Sequence, residues 1–167
     1  MRLGNFHRQV RDRVNLASSF LARDDDIQPA VVIIERDAIT IQQIPGFMLA
    51  GEREKEALAK AFPQTLATIK SPCGAMILPS WRSNIPLDAK EKGLDPFEDF
   101  PRPSEATNRE DTVVIASFNS KKTIVQMGAV VRKEGKVTIV WDPPVEDAEG
   151  RFAEMHTTLA NYEKEVI

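Results

Sequence analysis

The chain has 167 residues, a formal net charge of −3, and 42% apolar against 28% charged residues. A globule of this length buries roughly 70% of its unfolded surface, so its core needs no disulfide or metal staple. The weak negative charge argues against non-specific nucleic-acid binding, which needs concentrated positive charge. Cys73 is the one cysteine, which excludes an intramolecular disulfide.

The opening stretch is charged and lacks the apolar core of a secretory leader. No apolar run approaches the ~20 residues that span a bilayer. A reducing cytoplasm is the expected compartment. Residues 1–167 are expected to form one domain of α+β class.

Residues 4–22 are predicted as a first helix. Phe6, Val10, Val14, Ala17 and Leu21 recur as one amphipathic stripe. Arg2, His7, Arg8, Arg11 and Arg13 crowd this helix, a solvated face or a contact for an acidic partner. The run Asp24, Asp25, Asp26 reads as a solvated turn; it lacks the spacing and central glycine of a calcium loop. Two strands follow, Ala30 to Glu35 and Ala38 to Ile44, turning at Arg36 and Asp37. A second helix is expected from about Gly51 to Lys70, with Leu58, Phe62, Leu66 and Ile69 inward. Pro63 inside it removes one hydrogen bond and predicts a kink or a restart.

Ala75 to Leu78 read as a short buried strand. An irregular loop at about 79–111 comes next, because Pro79, Pro86, Pro96, Pro101 and Pro103 oppose a regular element. Trp81, Phe97 and Phe100 imply that part of this loop packs on the fold. Beyond it lies a three-stranded meander. Val113 to Phe118, Ile124 to Val131 and Val137 to Trp141 are β-branched runs, broken at Asn119–Lys121 and at Lys133–Gly135. In the middle strand Thr123, Val125, Met127, Ala129 and Val131 form the cleaner apolar face, whereas Ile124, Gln126, Gly128, Val130 and Arg132 form a mixed one. A last helix is expected from Asp147, a good N-cap, as the cover for the cleaner face. The order α-ββ-α-β-long loop-βββ-α predicts a single mixed or antiparallel sheet of five to six strands with helices packed on it. Roadblock, longin and profilin-like domains share roughly that order, a likeness of topology that carries no function.

Chemical signals are sparse. Cys73 with His7 and His156 makes no nucleophile motif. The two histidines and one cysteine give no metal-ligand spacing, and no glycine-rich phosphate loop occurs. No metal or cofactor is expected. The loop ends are more suggestive: Trp81 and Arg82 follow one strand, and Ser104, Arg109 and Glu110 precede another. Neighbouring strands would bring them together, where arginine binds an anion or pairs with Glu110.

Trp81-Arg82-Ser83, then Pro103-Ser104 and Arg109-Glu110 before an apolar strand, resemble a pattern in a family of uncharacterised bacterial proteins. The early segment ARDDDIQPAVVII is similar to theirs as well, and the resemblance spans residues 16 to 160. It implies no activity, only that the loop ends belong to the design of the fold. The leading expectation is a non-enzymatic cytoplasmic protein-interaction domain, self-associating as a homodimer. The alternative is a small-ligand (anion) binder or enzyme with its site at Trp81, Arg82, Ser104, Arg109 and Glu110. Nucleic-acid contact through the arginine-rich first helix is a third and weaker expectation.

Overall fold

The computed structural model describes residues 1–83, 85–95, 98–102 and 105–166. Ser104 and Phe97, both singled out above, lie outside them. The elements are α1 (Leu3–Ser19), β1 (Ala30–Glu35), β2 (Ala38–Gln43), α2 (Glu52–Ile69), β3 (Gly74–Arg82), β4 (Glu110–Phe118), β5 (Thr123–Lys133), β6 (Lys136–Trp141) and α3 (Met155–Val166). The six strands form one antiparallel sheet in the order β2-β1-β3-β4-β5-β6. The expected α+β class and element order are therefore shown.

Turn chemistry explains the hairpins. Arg36 and Asp37 both take positive φ, 50° and 64°, between β1 and β2. Glu134 (φ 53°) and Gly135 (φ 74°) do the same between β5 and β6. Two consecutive left-handed residues match the twist of the flanking strands. At the β4–β5 turn the Asn119 side chain accepts from the backbone N–H groups of Lys121 and Lys122, the local bonding that makes asparagine a turn residue.

Helices cover both faces of the sheet. On one face α1 seats Leu3, Phe6, Val10 and Val14 against Val32, Ala75, Ile77, Val113 and Ile115. On the other, α2 and α3 seat Leu58, Phe62, Leu66, Met155 and Leu159 against Met76, Ala116 and Phe118. The rings of Phe62 and Phe118 meet edge to face at 5.6 Å, a favoured aromatic geometry. Each such large apolar side chain contributes roughly 1.5–3 kcal/mol when fully buried.

Five expectations need correction. First, α3 starts at Met155, not Asp147; residues 146–154 are irregular, with a turn at 151–153, and Val145 instead bridges to Val125. Second, β3 runs through Pro79 to Arg82, so the segment between β3 and β4 begins only at Ser83 and ends at Arg109. β1 pairs with β3 only as far as Ile77. Pro79 therefore lies where one side of β3 has no neighbour, the setting in which a strand tolerates proline. Third, the mixed face of β5 is the more deeply covered one: Ile124, Gln126 and Gly128 are buried under α1, while Val125, Met127 and Ala129 are half-buried. Fourth, Ala17 is exposed and borders an open groove, while Ser18 is buried in its place. Fifth, α2 continues through Pro63, which is buried, while Ile69 at its end is exposed.

Candidate functional site

The register of β3 and β4 sets Trp81 opposite Asp111 and Arg82 opposite Glu110. The loop ends thus meet at one end of the sheet, as the spacing suggests. Successive strand residues point to opposite faces, however. Odd-numbered residues of both strands face α1 and even-numbered ones face α2 and α3. The expected cluster is therefore divided between the two faces.

On the α1 side the Trp81 indole N–H donates to Asp111 Oδ1 at 2.9 Å. The Arg109 guanidinium lies over that indole, 5.0 Å from its centroid, within cation–π range. Asp111 Oδ2 faces Arg132 Nε at 3.5 Å. Arg132 Nη1 donates to the carbonyls of Arg23 (2.7 Å) and Asp25 (2.5 Å), and Nη2 lies 3.8 Å from Asp26. One arginine of β5 thus ties the aspartate-rich 23–26 segment to the sheet. A cavity of about 320 Å³ opens beside these groups, walled by Ile27, Pro29, Pro79, Trp81 and Val130.

On the opposite side Arg82 Nε donates to Glu110 at 2.7 Å, and Nη1 donates to Asp142 at 2.9 Å. The hydrogen bond to Glu110, then that to Asp142, holds the guanidinium pKa above its ordinary value. Both carboxylates come from the chain itself, so Arg82 clips β3 and β4 to the segment after β6.

Another constellation lies under α1. His7, expected among solvated cations, is buried. Gln126 Nε2 donates to the Asp142 carbonyl at 2.8 Å, which leaves its Oε1 to accept. His7 Nε2 sits 2.8 Å from that oxygen and is therefore the protonated nitrogen. His7 Nδ1 then accepts from the Ser117 hydroxyl, also at 2.8 Å. The pairing looks like an activated serine, but Ser117 is fully buried and substrate cannot reach it. Its role is to fasten α1 to β4 and β5. Burial is also the main reason that the His7 pKa lies below its ordinary value; Arg11 pushes the same way and the Gln126 bond opposes it. Cys73 is buried as well, which raises its thiol pKa, the opposite of what a thiolate nucleophile needs. Among the described residues no group of three His, Cys, Asp or Glu is placed to hold a metal.

Sequence reasoning missed Arg132, Asp142 and the His7–Ser117–Gln126 chain. One signal was present: Gln126 and Arg132 share the face of β5 that also carries Ile124 and Val130. Polar residues in an inward register call for a polar partner on the covering helix, and His7 is that partner.

Among the described residues no strand pairs with the outer side of β2 or of β6, and these two edges differ. The residues just before both edge strands are charged, Glu35, Arg36 and Asp37 before β2 and Lys133 and Glu134 before β6; the strands differ, for β6 begins with Lys136 whereas β2, Ala-Ile-Thr-Ile-Gln-Gln, carries no charge. Ile39 and Ile41 point to the α1 side, opposite Ile34 and Val32 of β1, and Ile41 is 45% exposed. Between β2 and α1 lies a groove in two parts that share Arg13. One part, of about 360 Å³, is bounded by Val14, Ala17, Leu21 and Ile41. The other, of about 610 Å³, is bounded by Gln9, Ala38 and Ile39. At 100° per residue, Gln9, Arg13, Leu16 and Phe20 share the flank of α1 above this groove. Leu16 and Phe20 are 59% and 81% exposed.

Comparison with known proteins finds no matching family model, curated protein or solved structure for this chain.

Proposed function

We propose that this chain is a non-enzymatic protein-interaction domain of the cytoplasm whose working form is a homodimer. The observation that carries this is the unguarded β2 edge. Edge strands expose a row of unpaired backbone N–H and C=O groups, and proteins usually blunt them with lysine, proline, a bulge or a covering segment. β2 has none of these residues. Beside it lie a groove and an apolar flank that no described segment fills. Covered nucleophiles and an arginine held by two internal carboxylates add support against catalysis at the residues named above. No described helix is long and apolar enough to cross a membrane.

Multi-angle light scattering over a wide concentration range tests the reading. A mass rising from one to two copies is expected; a single-copy mass up to the highest attainable concentration would count against it.

A small-ligand site is the second reading, favoured by the cavity beside Trp81, which falls in the size range of ligand pockets. Its guanidinium is Arg132 rather than Arg82. Titration of a Trp141→Phe variant with inorganic phosphate, read by Trp81 fluorescence, tests its anion-binding form. A saturable change supports it, and a flat response removes it.

A further inference from the structure

We infer that the partner received by the β2 edge is β2 of a second copy, paired antiparallel about a two-fold axis perpendicular to the sheet. This rests on the protein-interaction reading and specifies its geometry. Two six-stranded sheets become one continuous sheet of twice that width, and the groove beside α1 closes over the junction.

Self-complementarity is the first argument. A two-fold interface sets one patch against itself, so the patch must be compatible with its own image. β2 is uncharged along its whole length, so no like charges meet at the axis. Directly opposite residues of an antiparallel pair point to the same face. The two-fold axis keeps the α1 side of one copy continuous with that of the other. Ile39 and Ile41 of both strands therefore gather on the α1 side, over the groove, while Ala38, Thr40 and Gln42 gather on the other.

Charge is the second argument. Arg13 borders both parts of the groove, Asp37 lies at its Ala38 end, and Asp26 lies at its Gln43 end. Antiparallel pairing carries the second copy's Asp37 toward the Gln43 end of the first. Each Arg13, which already has Asp37 and Asp26 of its own copy at the two ends of its groove, then also faces the second copy's Asp37.

Size is the third. A stable interface buries on the order of 1,000 Å² or more in total, which one six-residue strand pair does not reach. Leu16 and Phe20 stand on the flank of α1 that overlooks the junction and are among the exposed large apolar side chains. Two copies bring both flanks to it. The β6 edge offers no such flank: α1 packs over β6, and the Trp141 indole N–H is bonded to Asn15.

Light scattering of Ile41→Lys, the pair Leu16→Ser with Phe20→Ser, and Val140→Lys on the β6 edge tests the geometry. Circular dichroism confirms that each variant is folded. The dimer dissociation constant is expected to rise on the order of 100-fold for Ile41→Lys, as for loss of a central anchor, and markedly for the flank pair. Val140→Lys should match the wild type. Should the β2 variants prove unfolded, amide hydrogen exchange of the wild type reads the same point: β2 amides gain protection as concentration rises, and β6 amides do not. A dimer that survives Ile41→Lys but dissociates with Val140→Lys, or whose β2 amides stay unprotected, overturns the inference and leaves the homodimer standing. A wild type that never dimerises overturns both.

Discussion

His7 is packed as a neutral ring, and that has a signed consequence. Its folded pKa lies below its ordinary value, chiefly because burial penalises the imidazolium. The unfolded chain therefore takes up the proton first as pH falls. The stability that this side chain contributes is present above the unfolded pKa of about 6.5 and is lost as pH drops from there toward the lower folded pKa. Denaturant midpoints should fall through this window, with a slope of at most about 1.4 kcal/mol per pH unit from this group. A His7→Gln variant should be less stable at neutral pH and should lack that slope; a slope unchanged in the variant would refute the assignment. Gly128 is a second position where one atom decides. It pairs with Trp141 across β5 and β6, and a Cβ there would collide with Ile139 and Trp141. Gly128→Ala should lower stability by about 1–3 kcal/mol, the usual cost of overpacking, measurable by urea unfolding. Nothing within the first helix itself marks His7, which stands in a row of arginines. Its burial follows from facing Ser117 and Gln126, residues 110 and 119 positions away, a pairing that local periodicity does not contain.

Most elements were legible as elements. Stripes of apolar residues marked α1 and α2, and alternation with positive-φ turn residues marked the two tight hairpins. The misplaced boundaries have local causes. Pro79 looked like a strand terminator, yet β1 pairs with β3 only as far as Ile77 and leaves β3 open beyond it on that side. Asp147 looked like a helix start, yet the chain first returns along β5 through Val145. The pairing of β3 with β4 brings Trp81, Arg82 and Glu110 to one end of the sheet, and strand alternation then sends them to two faces. Arg132 shows how one side chain governs a segment it does not belong to. It holds the carbonyls of Arg23 and Asp25 and pairs with Asp111. Arg132→Ala should free the 23–26 turn, read as faster limited proteolysis and faster amide exchange there, with the meander still protected. Equal rates in the two proteins would show that the turn is held by other contacts. The Arg82 clip is half exposed to water on its acid side. A double-mutant cycle of Arg82→Ala with Glu110→Ala should give a coupling below about 1 kcal/mol that weakens in salt.

At the scale of the whole molecule, a sheet covered on both faces leaves its edges as the places where it can grow. A dimer joined there links folding to association, so the melting temperature should rise with protein concentration. Calorimetry over a wide concentration range checks this, and a constant melting temperature would weigh against the homodimer. Two-sided cover was not legible in the sequence, because α1 buries a face of β5 that carries glutamine and arginine. The first helix also has a place in time. Its stripe of Leu3, Phe6, Val10 and Val14 closes against Val113 and Ile115, and His7 closes against Ser117 and Gln126. A ribosome releases the helix early and supplies those partners about a hundred residues later. At roughly 5–20 residues per second that interval lasts several seconds, during which the greasy side of α1 has only the earlier strands to rest on. The apolar stripe of α1 thus waits longest for its partners, and its cover is complete only when β4 and β5 emerge.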